Sequence, residues 1–125
     1  MADAEGSGGT AYGLNATADN ADEEMIISLG RVMTAVAEWI GASAGCFLGH
    51  VKMAVSTGND TVTLSLTSMD VGVERHGKMT ANVPADIKFM AAVVDVDGKQ
   101  LAEKMRDAML ANGFKVKNKK MVELR

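Results

Sequence analysis

Residues 51–66, VKMAVSTGNDTVTLSL, decide the fold class of this chain. On both sides of the turn cluster 57–60, apolar side chains alternate with polar ones, as in Val51, Met53 and Val55. Period-two alternation around a short glycine-containing turn predicts a β-hairpin with one buried face and one solvated face. We therefore expect an antiparallel sheet.

Residues 25–40 precede this hairpin and carry apolar side chains at helical spacing. The apolar positions form two parallel rows, Met25, Leu29, Val32, Val36 and Trp39 in one and Ile26, Met33 and Ile40 in the other. The acidic residues 22–24 suit the positive end of a helix dipole, so the helix is predicted to begin there. A second helix is predicted from the N-cap Asp97 to the cap at 112–113. Both are interpreted as helices packed on the sheet rather than as membrane-spanning or partner-binding helices.

Other segments of the sequence predict further strands. A short strand is expected near 70–74, followed by a loop over 75–84. The apolar run 87–96 is typical of a central strand buried on both sides. A last strand is expected at 114–117, extended by 121–124 after a turn. Together these elements predict an α+β fold: an antiparallel sheet of four to five strands with two helices packed on one face.

The length of 125 residues suits one domain. Residues 1–21 are mostly small or polar, with Tyr12 and Leu14 as the larger apolar groups. Such a segment buries too little apolar surface to offset its ordering entropy, so we expect a disordered N-terminal tail. A single α+β domain is expected over residues 22–125.

Composition bounds the partners and the compartment. The net charge of -3 argues against binding to nucleic acid or an anionic membrane, and few aromatic side chains offer a stacking platform for bases. The acidic start resembles no secretory signal, and no run of 18 apolar residues occurs, which predicts a cytoplasmic chain that spans no membrane. The lone cysteine cannot form an internal disulfide. The lysines of residues 115–120 are interpreted as protection of a solvated edge strand, although they could also pair with the acidic residues of the first 24.

Residues 72–79 nearly spell a phosphate-binding loop, with Gly72, four residues, Gly77 and Lys78. The loop needs Ser or Thr next, because that hydroxyl ligates magnesium, and Met79 stands there instead. A helix must also follow, whereas the residues after Met79 favour no helix. We therefore reject nucleotide binding at this motif.

Cys46, His50 and Met53 lie within eight residues and supply a thiol, an imidazole and a thioether. Such ligands suit zinc, cobalt or copper(I), and Cys46 and His50 would share one face if both lay on one strand. A zinc site needs three or four ligands, however, and His76 is the only other histidine. A buried structural cysteine and a histidine bound to backbone are the alternatives, and cysteine catalysis with His50 as base ranks below metal binding.

The segments Ile40-Gly41, Leu48–Met53 and Val62–Thr67 resemble part of the C-terminal region of CobW-type GTP-binding proteins. The resemblance extends loosely over residues 25–112. This chain lacks the GTPase domain and the Cys-x-x-Cys metal motif of such proteins. The resemblance implies a stand-alone accessory domain linked to metal or cobalamin-type cofactor handling.

The sequence therefore predicts a non-enzymatic accessory or interaction domain whose partner is another protein or a second copy of the chain. His50 and Lys52 match the resembled motif and are the predicted interaction residues, with no known role to transfer. The alternative is a small metal-binding protein using Cys46 and His50. A third hypothesis is a small enzyme with Cys46 or His50 in a pocket between helix and sheet, but no catalytic constellation supports it.

Overall fold

This computed structural model describes residues 9–47, 49–79 and 83–122, the last five of them by their backbone only. Within those residues the elements in chain order are β1 (Gly9–Ala21), α1 (Glu23–Ala44), β2 (Gly49–Ser56), β3 (Thr61–Leu66), β4 (Val73–His76), β5 (Val83–Val94), α2 (Gly98–Ala111) and β6 (Lys115–Val122). The predicted hairpin is present as β2 and β3. Its turn closes where the Thr57 amide donates to the Asp60 carbonyl at 2.9 Å.

The six described strands form one sheet in the order β4-β3-β2-β5-β1-β6, and every neighbouring pair is antiparallel. Because β1 and β2 both run antiparallel to β5, which lies between them, β1-α1-β2 is a split β-α-β unit. By the same argument β5-α2-β6 is a second unit, with β1 between its strands. Without β3 and β4 the chain would follow the β-α-β-β-α-β order of ferredoxin-like domains. The predicted α+β class is confirmed, with a larger sheet than expected.

The strand that the sequence analysis missed is β1. The prediction of a disordered tail over 1–21 is wrong for Gly9–Ala21, which lies between β5 and β6; residues 1–8 lie outside the described part of the chain. Tyr12, Leu14 and Ala16 are buried under the helices. Small side chains are tolerated here because strands on both sides satisfy the backbone of β1, and these long-range contacts offset its ordering entropy.

Both helices begin at the predicted caps. The Asp22 carboxylate accepts from the Met25 amide at 2.8 Å, and the Asp97 carboxylate accepts from the Gln100 amide at 2.9 Å. Helix α1 runs past its expected end to Ala44, since Gly41 meets only ordinary contacts and the left-handed cap residue is Gly45 at φ 92°. By length and composition alone α1 could cross a membrane, but its apolar rows pack into the core of the domain.

The two helices lie on one face of the sheet, as predicted. Buried and exposed residues alternate along the strands, and the buried set includes Val51, Met53, Val55, Val62, Leu64, Leu66, Ile87 and Phe89. Helix α1 contacts β2, β3 and β4, whereas α2 contacts β1 and β6, and the helices contact each other. Methionine fills much of this layer, with Met33, Met105 and Met109 fully buried.

Two strand predictions need correction. The apolar run in β5 is central in the sheet but not buried on both faces, because its side chains alternate and Met90 is exposed. The strand also begins at Val83, inside the segment expected to be a loop. Strand β6 continues through the expected turn after Lys117, with a register shift opposite Asn15 and Ala16 instead. Backbone pairing with β1 overrides the turn propensity of this polar segment.

Candidate interaction face

One whole face of the sheet carries no helix among the described elements, and we call it the open face. It comprises the positions Gly9, Ala11, Gly13, Asn15 and Thr17 of β1, His50, Lys52, Ala54 and Ser56 of β2, Thr61, Thr63 and Ser65 of β3, Glu74 and His76 of β4, Asp86, Lys88, Met90, Ala92 and Val94 of β5, and Lys115 and Lys117 of β6. These positions alternate with the buried ones and are intermediate or exposed. The face is a broad surface available for contact.

The centre of the open face is flat and apolar. Gly13 pairs with Met90, and Ala11 pairs with Ala92, across the boundary between β1 and β5. A Cβ atom added at Gly13 would lie 3.7 Å from the Met90 Cγ atom, so the methionine lies beside a position without a side chain. Met90 is 56% exposed and is the only large apolar side chain that stands out from this face within the described residues. It forms a single apolar projection beside a shallow depression.

Charged side chains surround this apolar centre. Lys52 and Lys88 flank Met90 on β2 and β5, and Asp86 lies 3.7 Å from the Lys117 ammonium group. Glu74 lies at the β4 end of the same row as Lys52. Exposed ion pairs of this kind add little stability, so these charges are available to contact a partner.

The structure places both predicted interaction residues, His50 and Lys52, on the open face, where each is exposed. The glycine before them has a structural role. Gly49 has φ 133°, and a Cβ atom there would lie 2.1 Å from the carbonyl oxygen of Ala92. The Gly-His-Val-Lys motif therefore combines a close backbone approach at its first position with two exposed polar side chains.

The predicted metal ligands lie on different elements. Cys46 is an exposed free cysteine in the connection after α1, whereas His50 lies on β2, which begins at Gly49. The premise that both lie on one strand is not met. Within the described ranges no group of three or more His, Cys, Asp and Glu side chains could hold a metal ion. His76 is aligned with Ala54 through β3, which is four residues along β2 from His50, or roughly 13 Å.

The sequence analysis also missed a salt bridge that joins β4 to the start of α1. The Arg75 guanidinium donates to both carboxylate oxygens of Glu23, at 2.5 and 2.7 Å, and its Nε donates to the Gly77 carbonyl at 3.1 Å. The hydrogen bonds from Arg75 lower the pKa of Glu23, and the bond to Glu23 raises the pKa of Arg75. With 52 residues between the partners, no local sequence signal could have revealed this bidentate pair. The rejected phosphate-loop motif is occupied by β4 and its turns, which leaves no loop-to-helix geometry for a phosphate.

Two clefts lie on the helix side of the domain. One, of about 350 Å³, is lined by Ile27, Gly30, Arg31, Thr34, Ala35, Glu38 and Val73 between α1 and β4. The other, of about 620 Å³, lies near the start of α1 and includes Asp19, Glu24, Arg31 and Phe114. Neither cleft is lined by Cys46 or His50, so neither supports the enzyme hypothesis built on those residues.

The geometry thus points to a contact surface rather than to a reaction centre that a family could identify. Comparison with known proteins found no matching protein family, no similar curated sequence and no similar solved structure.

Proposed function

We propose that this chain is a non-enzymatic interaction domain and that the open face is its binding surface. The observation that carries the proposal is the uncovered sheet face with Met90 exposed at its flat apolar centre. An exposed apolar patch bordered by polar groups is the usual composition of a protein contact site. His50 and Lys52 border this centre on β2 and give the partner polar groups to recognise.

Burial of the Met90 side chain by a partner removes apolar surface from water, which contributes about 1 to 2 kcal/mol. The small residues beside it allow a partner backbone or side chain to approach closely. The surrounding lysines can keep their ammonium groups in water while their methylene stems cover the partner. Shape and desolvation would thus come from the centre, and specificity from the charged border.

The proposal is tested by isolating the tagged chain from its own cells with its bound proteins, as wild type and as Met90→Glu. The new carboxylate would lie between Lys52 and Lys88, so the fold should tolerate it. The matched control is Leu110→Glu on α2, a substitution at a similarly exposed position, 51% against 56%. We expect Met90→Glu to lose the specific partners that the control retains. Equal recovery from both variants would refute the open face as the binding surface.

A link to metal or cobalamin-type cofactor handling is a second, finer proposal, and the CobW-type resemblance around Gly49–Met53 is its support. It implies that the partner is a CobW-type GTP-binding protein that lacks this domain. Calorimetric titration of such a protein into the chain, with Lys52→Glu as the variant, tests this link. Binding that Lys52→Glu weakens would support it, and absence of binding at high micromolar concentrations would reject it.

A further inference from the structure

Resting on the proposed function, we infer that the partner of the open face is a second copy of this chain. The two copies dock face to face about a twofold axis that runs between β1 and β5, parallel to the strands. Two antiparallel sheets commonly pack in this aligned manner, about 10 Å apart. The inference follows from how the open face matches itself, one register row at a time.

Rotation about this axis exchanges β1 with β5, so each residue faces the residue that is its own cross-strand neighbour. Met90 then faces Gly13 of the second copy, and Ala92 faces Ala11, because these pairs share a row. The one projecting apolar side chain of the centre thus meets the one central position without a Cβ atom. The same contact occurs twice, as an isologous interface requires.

The polar rows also match under the same rotation. Lys88 shares a row with Asn15, and Asp86 shares a row with Thr17. In the dimer the Lys88 ammonium can donate to the Asn15 amide oxygen of the second copy, and the Thr17 hydroxyl can donate to the Asp86 carboxylate. Neither pair brings like charges together, so burial of these groups leaves each of them with a partner.

The area of contact is large enough for a stable dimer. With the axis between β1 and β5, the overlapping strands are β6, β1, β5 and β2. Four strands at about 4.8 Å spacing and about nine residues at 3.4 Å give roughly 590 Å² per copy, or about 1,200 Å² in total. This exceeds the roughly 1,000 Å² that a specific interface needs.

The free edges of the sheet are less suited to pairing two copies. Strand β4 has only four residues, Val73–His76, and short edge strands resist pairing. Strand β6 carries lysines at 115 and 117, which are charged side chains of the kind that protect an edge. The open face therefore remains the best surface for self-association.

Sedimentation equilibrium of the full chain tests the inference, with Gly13→Val and Met90→Glu as variants and Leu110→Glu as control. A Cβ atom at Gly13 has no close contact within one copy, so Gly13→Val should fold, which circular dichroism verifies. We expect the wild type and the control to form a dimer of twice 13.1 kDa. Each face variant should raise the dimer dissociation constant by at least about tenfold, from overpacking or from like charges.

Each outcome of this experiment separates the inference from the proposed function. A dimer that both folded face variants leave unchanged would place self-association elsewhere and overturn the inference. A wild-type monomer at 100 μM, well above ordinary working concentrations, would also overturn it. The proposed function would survive a monomer if Met90→Glu still loses partners that Leu110→Glu retains, and it would fail if no partner depends on Met90.

Discussion

Truncation of Leu14 to alanine tests whether β1 belongs to the core. Leu14 is 3% exposed and packs under the helices, so Leu14→Ala removes buried methyl groups and leaves a cavity. Such truncations cost about 2 to 5 kcal/mol. Because Ala16 and Gly13 are small neighbours that cannot fill the space, we expect about 3 kcal/mol. That is a large part of the 5 to 15 kcal/mol typical of a domain.

The same chemical change at Leu110, which is 51% exposed in the last turn of α2, is the matched control. We expect Leu110→Ala to change the free energy of unfolding by less than about 0.5 kcal/mol. Urea unfolding of both variants, followed by circular dichroism and by the fluorescence of Trp39, supplies the values. Trp39 packs against the core and reports on its loss.

A disordered tail predicts a different result. If residues 9–21 did not pair with β5 and β6, Leu14→Ala would cost no more than Leu110→Ala. Equal midpoints and equal slopes for the two variants would therefore refute the placement of β1 between β5 and β6. A shift of about 3 kcal/mol for Leu14→Ala alone would support it.

Three further changes test local features of the structure. Gly49→Ala should cost about 3 kcal/mol in thermal or urea unfolding, because its Cβ atom would collide with backbone 2.1 Å away; a change under 0.5 kcal/mol would contradict that close approach. The pKa of Glu23 is lowered from its ordinary value of 4.5, so its ion pair stabilises the fold above that pH, and this contribution is lost as the pH falls through the lowered pKa. Glu23→Gln should therefore destabilise the chain more at pH 7 than at pH 3, whereas the control Glu24→Gln should show a smaller pH dependence. The metal hypothesis predicts a thiolate-to-cobalt absorption band at stoichiometric cobalt(II) that Cys46→Ala abolishes and His50→Ala shifts, and absence of that band would reject it.

Local signals in the sequence predicted the elements that are stabilised by neighbouring residues. The caps at Asp22 and Asp97 lie three residues before the amides they accept from, so both helix starts were predictable. The hairpin turn around Gly58 was visible for the same reason. The length of α1 was underestimated because glycine within a helix costs only about 1 kcal/mol, which packing readily offsets.

Features that depend on distant residues could not be predicted. Strand β1 has few large apolar side chains, and what orders it is pairing with strands near the other end of the chain. The Arg75–Glu23 pair joins elements that only the fold brings together. For the site, His50 and Lys52 were correctly placed on a solvated strand face by alternation, whereas the proximity of Cys46 and His50 depended on a strand beginning before Gly49.

The position of β1 has a consequence for how the protein is made. A ribosome synthesises Ala11 among the first residues, yet its register partner in β6 is Val122, 111 positions later (122 − 11). The central strand must therefore wait, unpaired, until almost the whole polypeptide has emerged, and closure of such distant contacts is slow. We expect nascent chains that stop before β5 to remain unfolded and to depend on chaperones, with the native sheet forming only after release.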